Sequence, residues 1–120
     1  MSEALQLAHR YLAVWNETDA SRRRALIAEV FTPDASYTDP LGTATGHDAI
    51  DGFIAGAQEQ FAGLVFSLPA EPDAHHDLAR FQWNLCTPAA PDPLAIGFDV
   101  IELADGRITK VHGFLDKVPA

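Results

Sequence analysis

Residues 79–85 read Ala79-Arg80-Phe81-Gln82-Trp83-Asn84-Leu85, with apolar side chains at 79, 81, 83 and 85 and polar ones between them. A period of two belongs to a β-strand with one buried face, so this stretch predicts a strand. Upstream, Leu64, Phe66 and Leu68 alternate in the same way. Downstream, a Pro-rich turn over Pro88–Pro93 leads to the apolar run Leu94–Leu103, and Asp105-Gly106 predicts a two-residue hairpin into Ile108–Leu115. The first half of the chain has the other period. Leu5, Ala8, Tyr11, Leu12 and Trp15 fall on one helical stripe, which predicts a helix from about Glu3 to Glu17. Asp19 is placed to cap a second helix presenting Leu26, Ile27, Val30 and Phe31, and Thr32-Pro33-Asp34 stops it. Ala35–Asp39 reads as a short extended piece closed by Pro40 and Gly42. Thr45-Gly46 opens a third helix with Ile50, Phe53, Ile54, Ala57 and Phe61 on its inner face. Helices first and antiparallel strands after predict an α+β fold, with helices covering one face of a curved sheet.

The chain has 120 residues, the size of one domain spanning 1–120. At 48% hydrophobic and 21% charged residues it has the composition of a globular domain. Its net charge of −9 argues against nucleic-acid binding and against docking on anionic membranes, because both need a basic surface. A single cysteine, Cys86, cannot form an internal disulfide, which fits a reducing cytoplasm. The N-terminus has no basic region followed by a long apolar run, so no signal peptide is expected. The apolar runs are too short to span a bilayer.

Three polar residues sit where chemistry could use them. Tyr11 places a phenol on the apolar stripe of the first helix; the plain alternative is a core tyrosine with a backbone partner. Asp39 ends an extended segment beside Pro40, and Asp-Pro commonly marks a turn in which the carboxylate bonds its own backbone. Asp99 stands inside Ile96-Gly97-Phe98-Asp99-Val100-Ile101. A carboxylate in such a run is either buried, and then paired or protonated, or an edge-strand charge that blocks aggregation.

The runs His9-Arg10-Tyr11-Leu12-Ala13-Val14-Trp15-Asn16 and Phe31-Thr32-Pro33-Asp34-Ala35-Ser36-Tyr37-Thr38-Asp39-Pro40-Leu41-Gly42 resemble the nuclear transport factor 2-like superfamily. The pattern continues through Gly46, Ala49-Ile50, Gly97-Phe98-Asp99-Val100 and Asp105-Gly106-Arg107-Ile108. Within the superfamily the chain most resembles the bacterial ketosteroid isomerase and SnoaL-like polyketide cyclase branches. The resemblance implies a cone-shaped, cystatin-like α+β fold, with three N-terminal helices on a strongly bent, mostly antiparallel sheet around an apolar pocket. It also implies catalytic roles for Tyr11, Asp39 and Asp99, with no cofactor and no metal. Asp39 would be the base that moves a proton next to a carbonyl; Tyr11 and a protonated Asp99 would hydrogen-bond the developing oxyanion. Ile54 stands where the isomerases commonly carry a supporting tyrosine, and Gly113 where limonene epoxide hydrolase has an acid. A superfold shared by many chemistries does not fix one reaction. The expected function is proton transfer on an apolar carbonyl compound, by an isomerase or a cyclase-like lyase. The alternative is a non-catalytic binding domain for a small apolar ligand.

The pocket is expected to be lined by Val14 or Trp15, Phe53, Ile54, Phe66, Phe81, Trp83, Ile101, Val111 and Leu115. Phe98, Val100, His112 and Phe114 have the opposite parity on the late strands, which predicts a homodimer through the outer face of the sheet. His75 and His76 would point to opposite faces of a strand and so not share a metal. His47 is assigned to the start of the third helix. Arg22-Arg23-Arg24 reads as a solvated helix face.

Overall fold

The computed structural model describes residues 3–89 and 92–118. The amphipathic stripe of the first segment forms α1 (Glu3–Asn16), which buries Leu7, Ala8, Tyr11, Leu12, Val14 and Trp15. Asp19 caps α2 (Ala20–Val30) by accepting the Arg22 N–H at 2.9 Å. The helix stops one residue earlier than the stripe suggests. Phe31 is already extended and begins β1 (Phe31–Asp39), whose hairpin partner is β2 (Gly42–Thr45). Gly46 starts α3 (His47–Gln60) with a φ of 88°, a left-handed value that favours glycine.

The remaining chain is sheet: β3 (Val65–Ser67), β4 (Asp73–His75), β5 (Leu78–Cys86), β6 (Ala95–Ala104) and β7 (Arg107–Lys117). Strand β2 is an addition to the sequence expectation, and β4 holds His75 but not His76. Residues 90 and 91 of the Pro-rich turn lie outside the described residues. Asp105 and Gly106 both have positive φ, 53° and 78°, as the predicted hairpin turn between β6 and β7 requires.

The strands run in the order β2-β1-β7-β6-β5-β3, with β4 also paired to β5. Every pairing is antiparallel except that of β1 with β7. Register shifts interrupt β1/β7 once and β6/β7 twice, and such bulges bend a sheet. The three helices pack on the bent sheet as an α+β cone. Strand β6 is central, so Asp99 is not an edge-strand charge; it is 3% exposed.

One helix reading is corrected. Arg23 shares a stripe with Ile27 and Val30 at positions i, i+4 and i+7, so it turns inward rather than joining a solvated face. It is 5% exposed and pairs with buried Asp51 of α3 at 2.6 Å. Arg23 Nη1 also donates to Gln58 Oε1 at 2.8 Å, and Gln58 Nε2 donates to the carbonyls of Trp15 and Glu17. The network holds the C-terminal end of α1 against α3, satisfying carbonyls the helix leaves open.

Candidate active site

The concave face of the sheet, with α1 and α3, lines a cavity of about 310 Å³. That is at the small end of the range for ligand pockets. Tyr11, Asp39 and Asp99 all line it, together with Trp15, Tyr37, Phe53, Phe66, Trp83 and Leu115. Leu41 and Val118, both exposed, also border it.

Asp39 sits where β1 turns into β2. Its Oδ1 accepts the backbone N–H groups of Leu41 at 2.8 Å and Gly42 at 3.1 Å, and its Oδ2 accepts the Tyr37 hydroxyl at 2.7 Å. The turn reading and the pocket reading therefore both hold. Three donors satisfy most of the four acceptor sites of a carboxylate and fix its orientation. Tyr37 was not singled out in the sequence, although it lies two residues before Asp39 on the same strand face. Burial first, then the neighbouring charge of Asp99, push its phenol well above its ordinary range.

Asp99 has the opposite setting. Burial is the main cause that pushes its carboxyl up to about 7, and the Asp39 charge adds to the rise. Hydrogen bonding from the Trp83 indole and the approach of Tyr11 act the other way. Asp99 pairs across the sheet with Gly113. A Cβ on Gly113 would stand 3.0 Å from Asp99 Oδ1 and 3.1 Å from Asp39 Cβ. The bare glycine thus occupies the narrow place between the two acids.

Tyr11 is 1% exposed, and its hydroxyl closes no hydrogen bond with protein atoms. Burial first, then the Asp99 charge, raise its phenol well above the ordinary value. The site holds a carboxylate with three donors, a buried acid poised near neutrality, and a buried phenol with a free donor. Such a set can take a proton from carbon and hold the charge that develops on oxygen.

Four expected lining residues are corrected. Ile54, Phe81, Ile101 and Val111 are buried in the core and do not reach the cavity. The strand residues among them have the inward parity, but they lie deeper, where the helices close the cone. Phe81 packs edge-on to Tyr11 at 5.8 Å, beneath it rather than beside a ligand. Val14 is fully buried as well. Leu12, Ala57, Gln60, Phe61, Leu85 and Ala95 complete the lining and were not singled out.

The histidines lie elsewhere. His47 Nε2 meets the carbonyls of Phe31 and Thr32 at 3.1 Å. His112 is exposed beside Glu102 at 2.6 Å. His75 and His76 do not diverge as strand parity predicts. His76 has left the strand with a φ of 50°, and the two Nδ1 atoms stand 3.1 Å apart. Among the described residues no group of three or more metal-ligating side chains is present. No helix among them is long and apolar enough to cross a membrane.

A family model described as SnoaL-like domain matches residues 8–111. A solved structure from Agrobacterium tumefaciens, named a candidate isomerase of the SnoaL-like family, is 41% identical. The match covers 97% of this chain and 99% of that one, with a TM-score of 0.90. A candidate ketosteroid isomerase from Kribbella flavida is 20% identical over 98% of this chain and 81% of its own, with a TM-score of 0.73. A candidate polyketide cyclase from Sinorhizobium meliloti is 18% identical over 90% and 93%, with a TM-score of 0.67. The last two are similar in fold alone. No curated protein matches the chain.

Proposed function

The chain belongs to the SnoaL-like domain family, and from that premise we propose that it catalyses proton transfer on a compact apolar carbonyl compound. The observation that carries this reading is the split between its two pocket acids. Asp39 accepts three hydrogen bonds, while Asp99 is buried and pushed up to about 7. In the proposed reaction an oxygen of Asp39 takes a proton from the carbon next to the carbonyl. The C–H electron pair becomes the enolate π bond, and the carbonyl pair moves to oxygen. Tyr11 and protonated Asp99 donate to that oxygen. Asp39 then returns its proton at another carbon of the conjugated system, so the substrate is isomerised with no net change in atoms or electrons.

The test is turnover of an activated cyclic enone by the wild type and Asp39→Asn. Loss of turnover with retained phenol binding supports the reading. Equal turnover in the variant refutes it. Replacing Asp99 by Leu should cost on the order of 10²–10³ in rate, as loss of an oxyanion donor does.

A second reading has its own observation. The three donors that hold Asp39 fix its carboxylate in one orientation, which suits a binding domain that orients a small apolar ligand without reacting. Phenol binding without enone turnover favours this reading.

We also propose a homodimer through the outer face of the sheet. Phe98, Val100, His112 and Phe114 share that face, and Phe114 is 58% exposed. A monomer by light scattering at micromolar concentration contradicts it.

A further inference from the structure

Trp15 follows Tyr11 by one helical turn, so the two side chains are neighbours on one face of α1. Both line the cavity, and their rings meet edge-on with centroids 6.3 Å apart. Both are more than nine-tenths buried, at 8% and 1% exposure. Two polar atoms are buried here without a partner: Tyr11 Oη and Trp15 Nε1. A buried donor left unpaired is costly, so two orphans side by side in a cavity call for an acceptor that arrives from outside.

The two orphans differ in what they can do. An indole N–H only donates, whereas a phenol donates through its proton and accepts on its oxygen. One ligand oxygen can therefore complete both. We infer that Trp15 is a positioning residue: its Nε1–H closes onto Tyr11 Oη when Tyr11 donates to a ligand oxygen, making a two-step relay into the site. Hydrogen bonds in a chain polarise one another, so the indole strengthens the phenol as a donor. Catalytic hydrogen bonds are often open in a free site and tighten in the complex. The rest of the indole is fixed by ring contacts with Tyr37 at 5.6 Å and Phe66 at 5.4 Å, and Gln58 holds the Trp15 carbonyl at 2.9 Å. The N–H is thus held in place while its bond remains unmade.

The relay rests on the proposed reading of Tyr11 as a donor to ligand oxygen, and the experiment separates the two. The chain has two tryptophans, so a proton–nitrogen NMR spectrum shows two indole signals, assigned with Trp15→Phe and Trp83→Phe. The full chain is titrated with phenol, and binding is followed independently by calorimetry. The expected result is a downfield move of the Trp15 indole proton that saturates with phenol occupancy. Trp15→Phe, which keeps an aromatic ring, should bind phenol about 2- to 10-fold more weakly, the net value of one hydrogen bond. Saturated phenol binding with an unmoved Trp15 signal overturns the relay and leaves Tyr11 as donor. No phenol binding at all overturns the donor reading, and the relay with it.

Discussion

The indole of Trp83 fills the space in which a side chain on Gly97 would stand. The two residues are directly paired across β5 and β6, and a Cβ on Gly97 would lie 2.0 Å from Trp83 Cζ2 and 2.7 Å from Nε1. Gly97 lies two residues before Asp99 on the same face of β6, so its missing side chain lets the indole N–H reach toward the Asp99 carboxyl.

Gly97→Ala should therefore force the indole away. Overpacking of this kind costs about 1–3 kcal/mol. The expected outcome is a melting temperature lower by several degrees, with a change in tryptophan emission as Trp83 moves. A variant as stable as the wild type with unchanged emission contradicts the packing described.

Trp83→Phe should keep much of the ring packing with Phe66, whose centroid is 5.2 Å away, and lose only the N–H donor. Indole hydrogen bonding lowers the Asp99 pKa, so its removal should raise the midpoint above that of the wild type. Carboxyl NMR of the variant checks the direction; a fall contradicts it.

Breaking the buried Arg23–Asp51 pair should be costly. Arg23→Met leaves Asp51, only 7% exposed, without its main partner. Removing one member of a buried pair costs about 3–5 kcal/mol, whereas replacing both by apolar residues is often neutral. Urea unfolding should show a large loss for Arg23→Met and substantial recovery for Arg23→Met with Asp51→Leu. Equal losses in both variants contradict this.

The Asp99 pKa is raised from 3.8 in the unfolded reference to about 7 in the fold. Between those values the folded state holds the proton more tightly, so stability falls as pH rises through that window. The contribution is full below about pH 3.8 and is lost by pH 7, and it amounts to at most about 4 kcal/mol. Asp99→Asn does not titrate. Its stability relative to wild type should improve from pH 4 to pH 7 and stay level above. Urea unfolding at several pH values measures the difference, and a pH-independent difference contradicts it.

The period change at residues 79–85 and the helical stripes of the first half make the α+β order legible from the sequence, because both patterns are local. The resemblance directs attention to Tyr11, Asp39 and Asp99, and the structure brings the three to one cavity. Depth was not legible. Strand parity puts Phe81, Ile101 and Val111 on the inner face but does not say how far the helices close over them. Tyr37 could have been found, since it shares a face with Asp39 at i−2 on a strand. Arg23 could have been found as well, because it continues the stripe of Ile27 and Val30. The Trp83–Gly97 fit could not, because it depends on the register of β5 against β6.

The proposed mechanism needs Asp99 to hold its proton near neutrality in the cavity it shares with Asp39. Carboxyl NMR of the wild-type protein, with the Asp99 signal assigned from Asp99→Asn, measures this directly. The account predicts that Asp99 titrates with a midpoint near 7, far above its reference value of 3.8. A midpoint close to 3.8 would leave Asp99 charged at neutral pH, unable to donate to an oxyanion, and would contradict the proposed mechanism.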